Sequence, residues 1–262
     1  MAPVNFELCR QSQVRRKWAG NQCVFCVAVH LTDPSVCEMV SLMDFDCIWV
    51  DMEHHATSVQ TAGEMFRAAR VNGSDIMARP GKGEFMRMGR MLESGATGIL
   101  YPRCDDPAEA REVVKWGKFA PLGQRGLDAV NADSPFGLTD IAGYVERANR
   151  ETWLAVQIES PQAVCQADAI AAVDGIDMLF FGPGDYSLLS GRPGDVKCSE
   201  VTAAAAAVCS AAKKAGKKFG TPALGPDHAK RMIDMGANFL TLGSDISLLR
   251  SAMQNLRRQY GL

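Results

Sequence analysis

Short apolar, β-branched or aromatic runs alternate with longer stretches of helical periodicity from about residue 23 to the end of the chain. Eight runs have the length and composition of strands: residues 23–29, 47–52, 75–79, 98–102, 153–158, 178–181, 218–222 and 239–242. Helical patterns cover residues 59–71, 84–94, 109–116, 163–172, 200–215, 227–235 and 246–258. Strict alternation of strand and helix favours parallel strands joined by crossover helices, and eight such units predict an α/β fold, a single (β/α)8 barrel.

Four dipeptides mark helix starts, because each places a capping residue type before a proline. The capping positions are Asp33, Asp106, Ser160 and Gly225. The regular pattern is interrupted at residues 118–150, a stretch rich in Gly, Pro and Asp between the fourth and fifth strands. Long loops in compact domains are usually functional or interfacial, and we expect the same of this one.

The chain length suits one domain. Its 262 residues are close to the ~250 typical of this barrel, and a hydrophobic content of 47% is ample for one core. No linker or low-complexity tract divides the chain. We therefore expect one barrel domain over residues 1–262, with residues 1–20 as an N-terminal extension.

Charge and cysteine content exclude several classes of partner. The 28 basic and 30 acidic residues leave a formal charge of -2 without any basic run, which argues against a nucleic-acid partner. No signal-peptide pattern and no apolar span of 18 residues is present, so we expect a cytoplasmic protein that does not bind membranes. Nine cysteines then indicate reduced thiols. Cys23 and Cys26 are three apart on a strand and point to opposite faces, so we expect neither a metal nor a redox site there.

Polar residues at the carboxyl ends of barrel strands converge on one mouth, and the fifth and sixth strands supply acidic ones. Gln157 and Glu159 lie two residues apart, on one face and about 6.6 Å apart along the strand. The sixth strand ends in a Gly-Pro-Gly-Asp turn that contains Gly184 and Asp185. Two carboxylates from adjacent strand ends suit a hard divalent cation such as Mg2+ or Mn2+. An N-cap aspartate beside a salt-bridged glutamate is the alternative.

The second and third strands end in further charged groups. Asp51 is followed by Glu53, His54 and His55, and Asp51 with His54 could form a hydrogen-bonded pair that raises the basicity of the ring. We assign Glu53 and His55 to support; a structural histidine or an imidazole metal set remains the alternative. Arg79 ends the third strand as a clamp for a carboxylate or oxyanion, unless it serves in an ordinary ion pair.

Two other kinds of chemistry lack sequence support. A Schiff-base lysine should lie near the carboxyl end of a strand, whereas Lys218 begins the seventh strand and Lys82 lies in a loop. The nucleotide-binding patterns GxGxxG and GxxxxGK[ST] do not occur.

From about Gly20 to its C-terminus the chain resembles the HpcH/HpaI family of class II pyruvate aldolases, which includes 4-hydroxy-2-oxoheptanedioate aldolase and 2-oxo-3-deoxy sugar acid aldolases. The resemblance rests on separated motifs in the right order: WVDMEH at 49–54, ARP at 78–80, LESGA at 92–96, GQRG at 123–126, VQIES at 156–160, FGPGD at 181–185 and LGSD at 242–245. It implies a barrel of the phosphoenolpyruvate/pyruvate type. It also implies a divalent metal ion (Mg2+, Mn2+ or Co2+), a small 2-oxo acid and an aldehyde as substrates, and a homohexamer.

The resemblance also implies a role for each site residue. Glu159 and Asp185 would be the metal ligands, and Gln157 with the Gly184 backbone N–H would contact pyruvate. Arg79 would stabilise the enolate oxygen. The pair His54 and Asp51 would activate a water for proton transfer. Two further residues, Glu93 and Arg125, would give support, Arg125 in a loop used near subunit contacts.

The sequence departs from the family pattern where the acceptor aldehyde would approach. His55-Ala56-Thr57 replaces the more usual Ala-Pro-Asn run after the histidine, and Tyr186 replaces a leucine. The expected reaction is therefore cleavage or formation of a 4-hydroxy-2-oxo acid with an unspecified aldehyde. Decarboxylation of oxaloacetate or lysis of an acyl-CoA at the same site is one rival, and a non-catalytic keto-acid binding barrel is the other.

Overall fold

The computed structural model describes residues 11–262 and has a closed barrel of eight parallel strands. Each strand pairs with its neighbours in chain order, and the last pairs with the first. The strands are β1 (Val24–Val29), β2 (Cys47–Asp51), β3 (Asp75–Arg79), β4 (Gly98–Tyr101), β5 (Trp153–Ile158), β6 (Met178–Phe181), β7 (Lys218–Pro222) and β8 (Phe239–Ser244). The predicted α/β barrel is confirmed, and no strand end differs from its predicted position by more than two residues.

The first helix precedes the first strand, and the other helices lie around the outside of the barrel. They are α1 (Gln13–Ala19), α2 (Pro34–Leu42), α3 (Val59–Ala68), α4 (Phe85–Glu93), α5 (Pro107–Gly117), α6 (Ile141–Glu151), α7 (Pro161–Cys165), α8 (Ala167–Ala171), α9 (Pro183–Leu189), α10 (Ser199–Lys214), α11 (Pro226–Met235) and α12 (Asp245–Gln259). Within residues 11–262, none of these helices combines the length and hydropathy needed to cross a membrane.

The predicted helix starts are confirmed in their positions. Asp33, Asp106 and Ser160 each accept a hydrogen bond from a backbone N–H of the first turn, as a side-chain cap does. Gly225 precedes α11 without a side-chain cap, and its φ of 123° is one that glycine adopts readily. The proline after each of these residues occupies the first turn.

The stretch 118–150 contains a helix that the sequence pattern did not predict. Helix α6 begins after Asp140, whose carboxylate accepts a hydrogen bond from the Gly143 N–H. It buries only Tyr144, Arg147 and Ala148, so its apolar stripe is narrow and the polar composition dominates the local pattern.

The strands separate two apolar clusters. The inner one fills the barrel with large side chains such as Trp153, Phe180 and Phe239, and it includes Cys26. Cys23 packs instead against the cluster between the strands and the outer helices, as the alternation of strand side chains predicts. The eight cysteines of the described chain are free thiols.

Helix α1 closes the barrel at the amino ends of the strands. The ring of Trp18 meets Trp153 edge-on at 5.6 Å between centroids, and Trp18 Nε1 donates to Asn238 O at 3.2 Å. Ser12, which caps the helix, also donates to Asp75 at 2.5 Å. The helix is therefore tied to residues that begin β3 and β5 and that directly precede β8.

The last helix, α12, contrasts with the others because Asp245 is its only buried residue. Its exposed side chains include several large apolar ones, of which Ile246, Leu249, Met253 and Leu256 are each between 42% and 56% exposed. These four follow a spacing of three or four residues and so share one face of the helix. The described chain leaves this apolar face uncovered.

Candidate active site

The alternation of side chains along the strands brings the predicted polar residues to one mouth of the barrel. Asp51 and Arg79 end β2 and β3 and are neighbours in the strand register. Gln157 lies near the end of β5, and Glu159 follows that strand by one residue. All four side chains are at most 6% exposed, so each must find its partners within the protein.

Asp51 and Arg79 form a bidentate ion pair. Arg79 Nε donates to Asp51 Oδ1 at 2.9 Å, and Nη2 donates to Oδ2 at 2.7 Å. Burial alone would raise the pKa of Asp51, but the hydrogen bonds and charge of Arg79 outweigh it and hold that pKa below its ordinary value. The guanidinium also lies over the ring of Trp49, 4.7 Å from its centroid. Arg79 is thus fixed in place by a charge on one side and an aromatic face on another.

The structure assigns the two histidines differently from the sequence prediction. His55 Nε2, not an atom of His54, lies 3.7 Å from Asp51 Oδ2. His54 Nε2 lies 3.5 Å from Glu53 Oε2, and its side chain is 59% exposed. The expected hydrogen-bonded pair of Asp51 and His54 is therefore absent from the described chain, because the backbone after β2 turns the His55 ring inward and leaves His54 towards solvent.

Gln157 links the ion pair to the buried carboxylate of Glu159. Arg79 Nη1 donates to Gln157 Oε1 at 3.3 Å, and Gln157 Nε2 donates to Glu159 Oε2 at 2.5 Å. Arg103 N donates to the other oxygen of Glu159 at 2.9 Å. Four strand ends are thereby joined by hydrogen bonds, since Arg103 follows β4. The donors to Glu159 are both neutral groups.

Glu159 is an electrostatically strained carboxylate. Burial and the nearby charge of Asp185 raise its pKa to about 8, against the opposing effect of the Arg103 N–H. Asp185 lies half-buried in the first turn of α9, one residue after the exposed Gly184. An added Cβ on Gly182 would come within 2.3 Å of Glu159 Oε2, so only glycine leaves room for the carboxylate there. Two carboxylates that repel each other in a buried mouth are a donor set suited to a hard divalent cation.

His30 belongs to the same mouth, although the sequence analysis did not single it out. It follows β1 by one residue, and its ring stacks on that of His55 with centroids 4.3 Å apart. Its backbone N–H donates to both carboxylate oxygens of Asp245, at 3.1 and 3.0 Å. The sequence signal for His30 is the alternation of side chains along β1. Ala28 pairs with Trp49 of β2, and His30, two residues later, points to the same side of the sheet as Ala28.

Glu93 and Arg125 lie at the opposite end of the barrel from this mouth, and their predicted supporting role stays a prediction. Glu93 ends α4, at the face where β4 begins. Burial raises its pKa; Asp128 and Asp133 also raise it, while Arg125 lowers it. Arg125 itself pairs with Asp133 at 3.0 Å and with Tyr144 Oη at 3.3 Å. A residue at or just after the end of a barrel helix lies near the amino end of the next strand, opposite the mouth.

A cavity of about 630 Å3 lies near Glu93 and Arg125, lined in part by Tyr144, Arg147 and Thr152. None of the strand-end residues of the mouth lines it. Its position at the amino ends of the strands, where barrels place residues that stabilise the fold, separates it from the candidate active site.

Lys118 is a buried lysine at that same end, 3% exposed. Its Nζ donates to Asn149 O at 2.8 Å and to Thr152 O. Burial lowers its pKa to about 8, as in a reactive lysine, but its hydrogen bonds to backbone carbonyls and its distance from the mouth give it a structural role.

Comparisons with known proteins agree with this geometry. A sequence model of the HpcH/HpaI aldolase/citrate lyase family matches residues 25–252. The hydroxypyruvate/pyruvate aldolase of Delftia acidovorans is 33% identical over 232 residues, 86% of this chain and 84% of that protein. The 2-keto-3-deoxy-L-rhamnonate aldolase of Salmonella paratyphi A is 33% identical over 225 residues, with the same two shares. The crystal structure of an HpcH/HpaI aldolase from Desulfitobacterium hafniense DCB-2 superposes with a TM-score of 0.89 at 25% identity, covering 94% of this chain and 95% of that one.

Proposed function

Since the chain belongs to the HpcH/HpaI aldolase/citrate lyase family and is a carbon–carbon lyase of the aldolase type, we propose that it cleaves or forms a 4-hydroxy-2-oxo acid through a pyruvate enolate and an aldehyde, with a divalent metal ion. One observation carries the proposal. A continuous hydrogen-bonded chain runs from Asp51 through Arg79 and Gln157 to Glu159 across the mouth. It puts a cationic donor, an amide and a carboxylate around one small space, which suits a 2-oxo acid.

The residues present fit the metal ion that the family implies. Glu159 receives only neutral hydrogen-bond donors within residues 11–262, and burial together with the neighbouring charge of Asp185 raises its pKa to about 8. A cation held by these two carboxylates would remove that repulsion, and oxygen ligands suit Mg2+, Mn2+ or Co2+. When bound, such an ion supplies Lewis acidity towards the carboxylate and keto oxygens of the substrate.

The protein side chains bind and orient the 2-oxo acid. We assign the pyruvate contacts to Gln157 and to the Gly184 backbone N–H, and the stabilisation of the enolate oxygen to Arg79. The bidentate contact with Asp51 fixes the guanidinium before the charge develops, so little reorganisation is needed during the reaction. Interactions of this kind are typically worth about 100- to 1000-fold in rate.

We assign proton transfer to an imidazole at the rim of the mouth. His54 is the proposed base, acting on the methyl group of pyruvate through a water molecule, and its 59% exposure gives it access to that water. Glu53, 3.5 Å from the His54 ring, takes the orienting role that the sequence analysis gave to Asp51. Asp51 then acts by holding Arg79.

The test follows exchange of the pyruvate methyl protons in D2O by NMR, using protein stripped of metal with chelator and then supplied with Mg2+, Mn2+ or Co2+. Metal-dependent exchange that is lost in Glu159→Ala supports enolate chemistry without any assumption about the aldehyde. Absence of exchange with every metal, in protein shown to be folded, overturns the proposal and favours acyl-CoA lysis or a keto-acid binding protein.

The proposed assembly is a homo-oligomer. The apolar face of α12 formed by Ile246, Leu249, Met253 and Leu256 is too continuous to be left in water without cost. A second copy of the chain can cover it. A hexamer, which the family resemblance implies, is the state we propose.

A further inference from the structure

We propose that His30, Asp51 and His55 form a second cation site at the barrel mouth, separate from Glu159 and Asp185 and selective for a divalent transition ion such as Zn2+ or Co2+. The three residues can each offer one ligand atom, and these atoms lie within 4.8 Å of one another. The site goes beyond the proposed aldolase function, since neither enolate formation nor the carbon–carbon bond requires it.

The fold brings these residues together through the strand register. Val29 of β1 lies beside Val50 of β2. The next residues, His30 and Asp51, therefore also lie side by side at the mouth. His55 is added by the turn after β2, which stacks its ring on that of His30 at 4.3 Å. Two of the ligands are thus fixed by the barrel, and the third lies on a short connection that can adjust to an ion.

Asp51 retains capacity for a ligand bond despite its contact with Arg79. Its Oδ1 accepts hydrogen bonds from Arg79 Nε and from Glu53 N. Its Oδ2 accepts only from Arg79 Nη2 within the described chain, which leaves one lone pair of that oxygen. His55 Nε2 lies 3.7 Å from the same oxygen, a distance that an ion between the two atoms would bridge after a small movement of the ring.

The charges around the cluster favour a cation. Asp51, Glu53 and Asp245 contribute three carboxylates. Within residues 11–262, Arg79 is the single guanidinium paired with any of them, and it contacts Asp51 and Glu53. The hydrogen bonds from the His30 backbone N–H to Asp245 fix the backbone position from which the His30 side chain extends.

The donor set distinguishes this site from the acidic pair. Glu159 and Asp185 offer oxygen alone, which suits Mg2+ or Mn2+. Two imidazoles and one carboxylate instead suit zinc, cobalt or iron, and they leave open coordination positions for water or a ligand. We therefore expect the mouth to hold two kinds of ion at once.

The experiment titrates Co2+ into the whole protein saturated with Mg2+ and records the visible absorption of imidazole-bound Co2+. We expect one equivalent of Co2+ per chain to give this band in the wild type. The band should persist in Glu159→Gln/Asp185→Asn, which removes the acidic pair, and in His228→Ala, a histidine on α11. In His30→Ala/His55→Ala, the affinity for Co2+ that this band reports should fall at least about tenfold.

A second measurement needs no variant of the cluster. The chain has four histidines, so their ring nitrogens give few signals in 15N NMR. Zn2+ added beside saturating Mg2+ should move the signals of His30 and His55 and leave that of His228 unchanged. Three results would each overturn the site. The first is no Co2+ band in the wild type, and the second is a band that is lost with the acidic pair but kept in His30→Ala/His55→Ala. The third is Zn2+ shifts confined to His54 or His228. Pyruvate exchange in D2O is measured separately, so failure of this inference leaves the proposed function intact, and the reverse also holds.

Discussion

Arg79 serves several partners at once, which makes it hard to replace. It binds Asp51 through two nitrogens, contacts Gln157 with a third and lies over Trp49. A lysine has one compact ammonium group and cannot make the paired contact. We expect Arg79→Lys to lower metal-dependent pyruvate exchange by about 100- to 1000-fold. Arg87→Lys is the control, because Arg87 forms an exposed ion pair on α4; exchange in Arg79→Lys equal to that control would remove Arg79 from the mechanism.

Gly182 provides a test of the acidic pair. A methyl group at this position would meet Glu159 Oε2 at 2.3 Å, whereas one at Gly184 would meet nothing within 4 Å. We expect Gly182→Ala to weaken Mn2+ binding at least about tenfold, measured by electron paramagnetic resonance, and Gly184→Ala to leave it unchanged. Equal Mn2+ affinity in the two variants would mean that Glu159 does not hold the ion.

The two adjacent histidines can be separated by substitution. If His54 is the base, His54→Ala should lower pyruvate exchange by about 100-fold or more, the range typical of a general base. His55→Ala should cost less than about tenfold, because its contact is with Asp51 rather than with the reacting proton. The opposite ranking in the same NMR assay would transfer the role to His55.

Sequence reasoning at this scale succeeds where side-chain direction follows from strand parity. Asp51, Arg79, Gln157 and Glu159 lie on strands or within one residue of their ends, so the pattern predicted their convergence, which the geometry confirms. It fails one step beyond a strand. The connection after β2 sets which imidazole turns inward, and no periodicity encodes that rotation.

Among the elements, α6 is held at the amino ends of the strands by Lys118. Burial lowers the pKa of this lysine to about 8 from an ordinary 10.5; Asp177 raises it, and Arg15 and Arg125 lower it. Below pH 8 the Lys118 ammonium is charged in both the folded and the unfolded chain, so burying it in the folded state lowers the free energy of unfolding. Between about pH 8 and 10.5 the unfolded chain holds the proton more tightly than the folded one, so this cost disappears as pH rises.

We therefore expect wild type to gain stability relative to Lys118→Met between pH 7.5 and 10, by up to about 3 kcal/mol in urea unfolding. The exposed Lys213→Met is the matched control, and its difference from wild type should stay constant over the same range. A constant difference for Lys118→Met as well would show that burial does not shift this lysine.

The elements themselves were predictable to different degrees. Strands of a parallel barrel are apolar on both faces, so runs such as Trp153–Ile158 stand out from their surroundings. Helix α6 was hidden because only three of its side chains are buried and its neighbours in sequence are Gly, Pro and Asp. The pattern 163–172 became two short helices that meet at Gln166, since periodicity over a few residues cannot locate a break.

For the whole molecule, the uncovered face of α12 leads to a prediction about assembly. Leu249→Glu/Met253→Glu places two charges on that face and should convert the oligomer into smaller species in analytical ultracentrifugation. Ser251→Glu adds a charge on the opposite side of the same helix and should leave the assembly unchanged. Identical sedimentation of the two proteins would show that α12 is not the interface.

The long-range contacts of helix α1 determine when it can dock during synthesis of the chain. Its contacts reach Asp75, Trp153 and Asn238, so the most distant partner of Trp18 is 220 residues away along the chain. During synthesis on a ribosome, Trp18 leaves the tunnel well before Asn238, which lies 220 residues later and whose carbonyl accepts the indole hydrogen bond. Helix α1 therefore cannot dock fully until β3, β5 and the residue before β8 have been made, so a segment translated early is locked in place late.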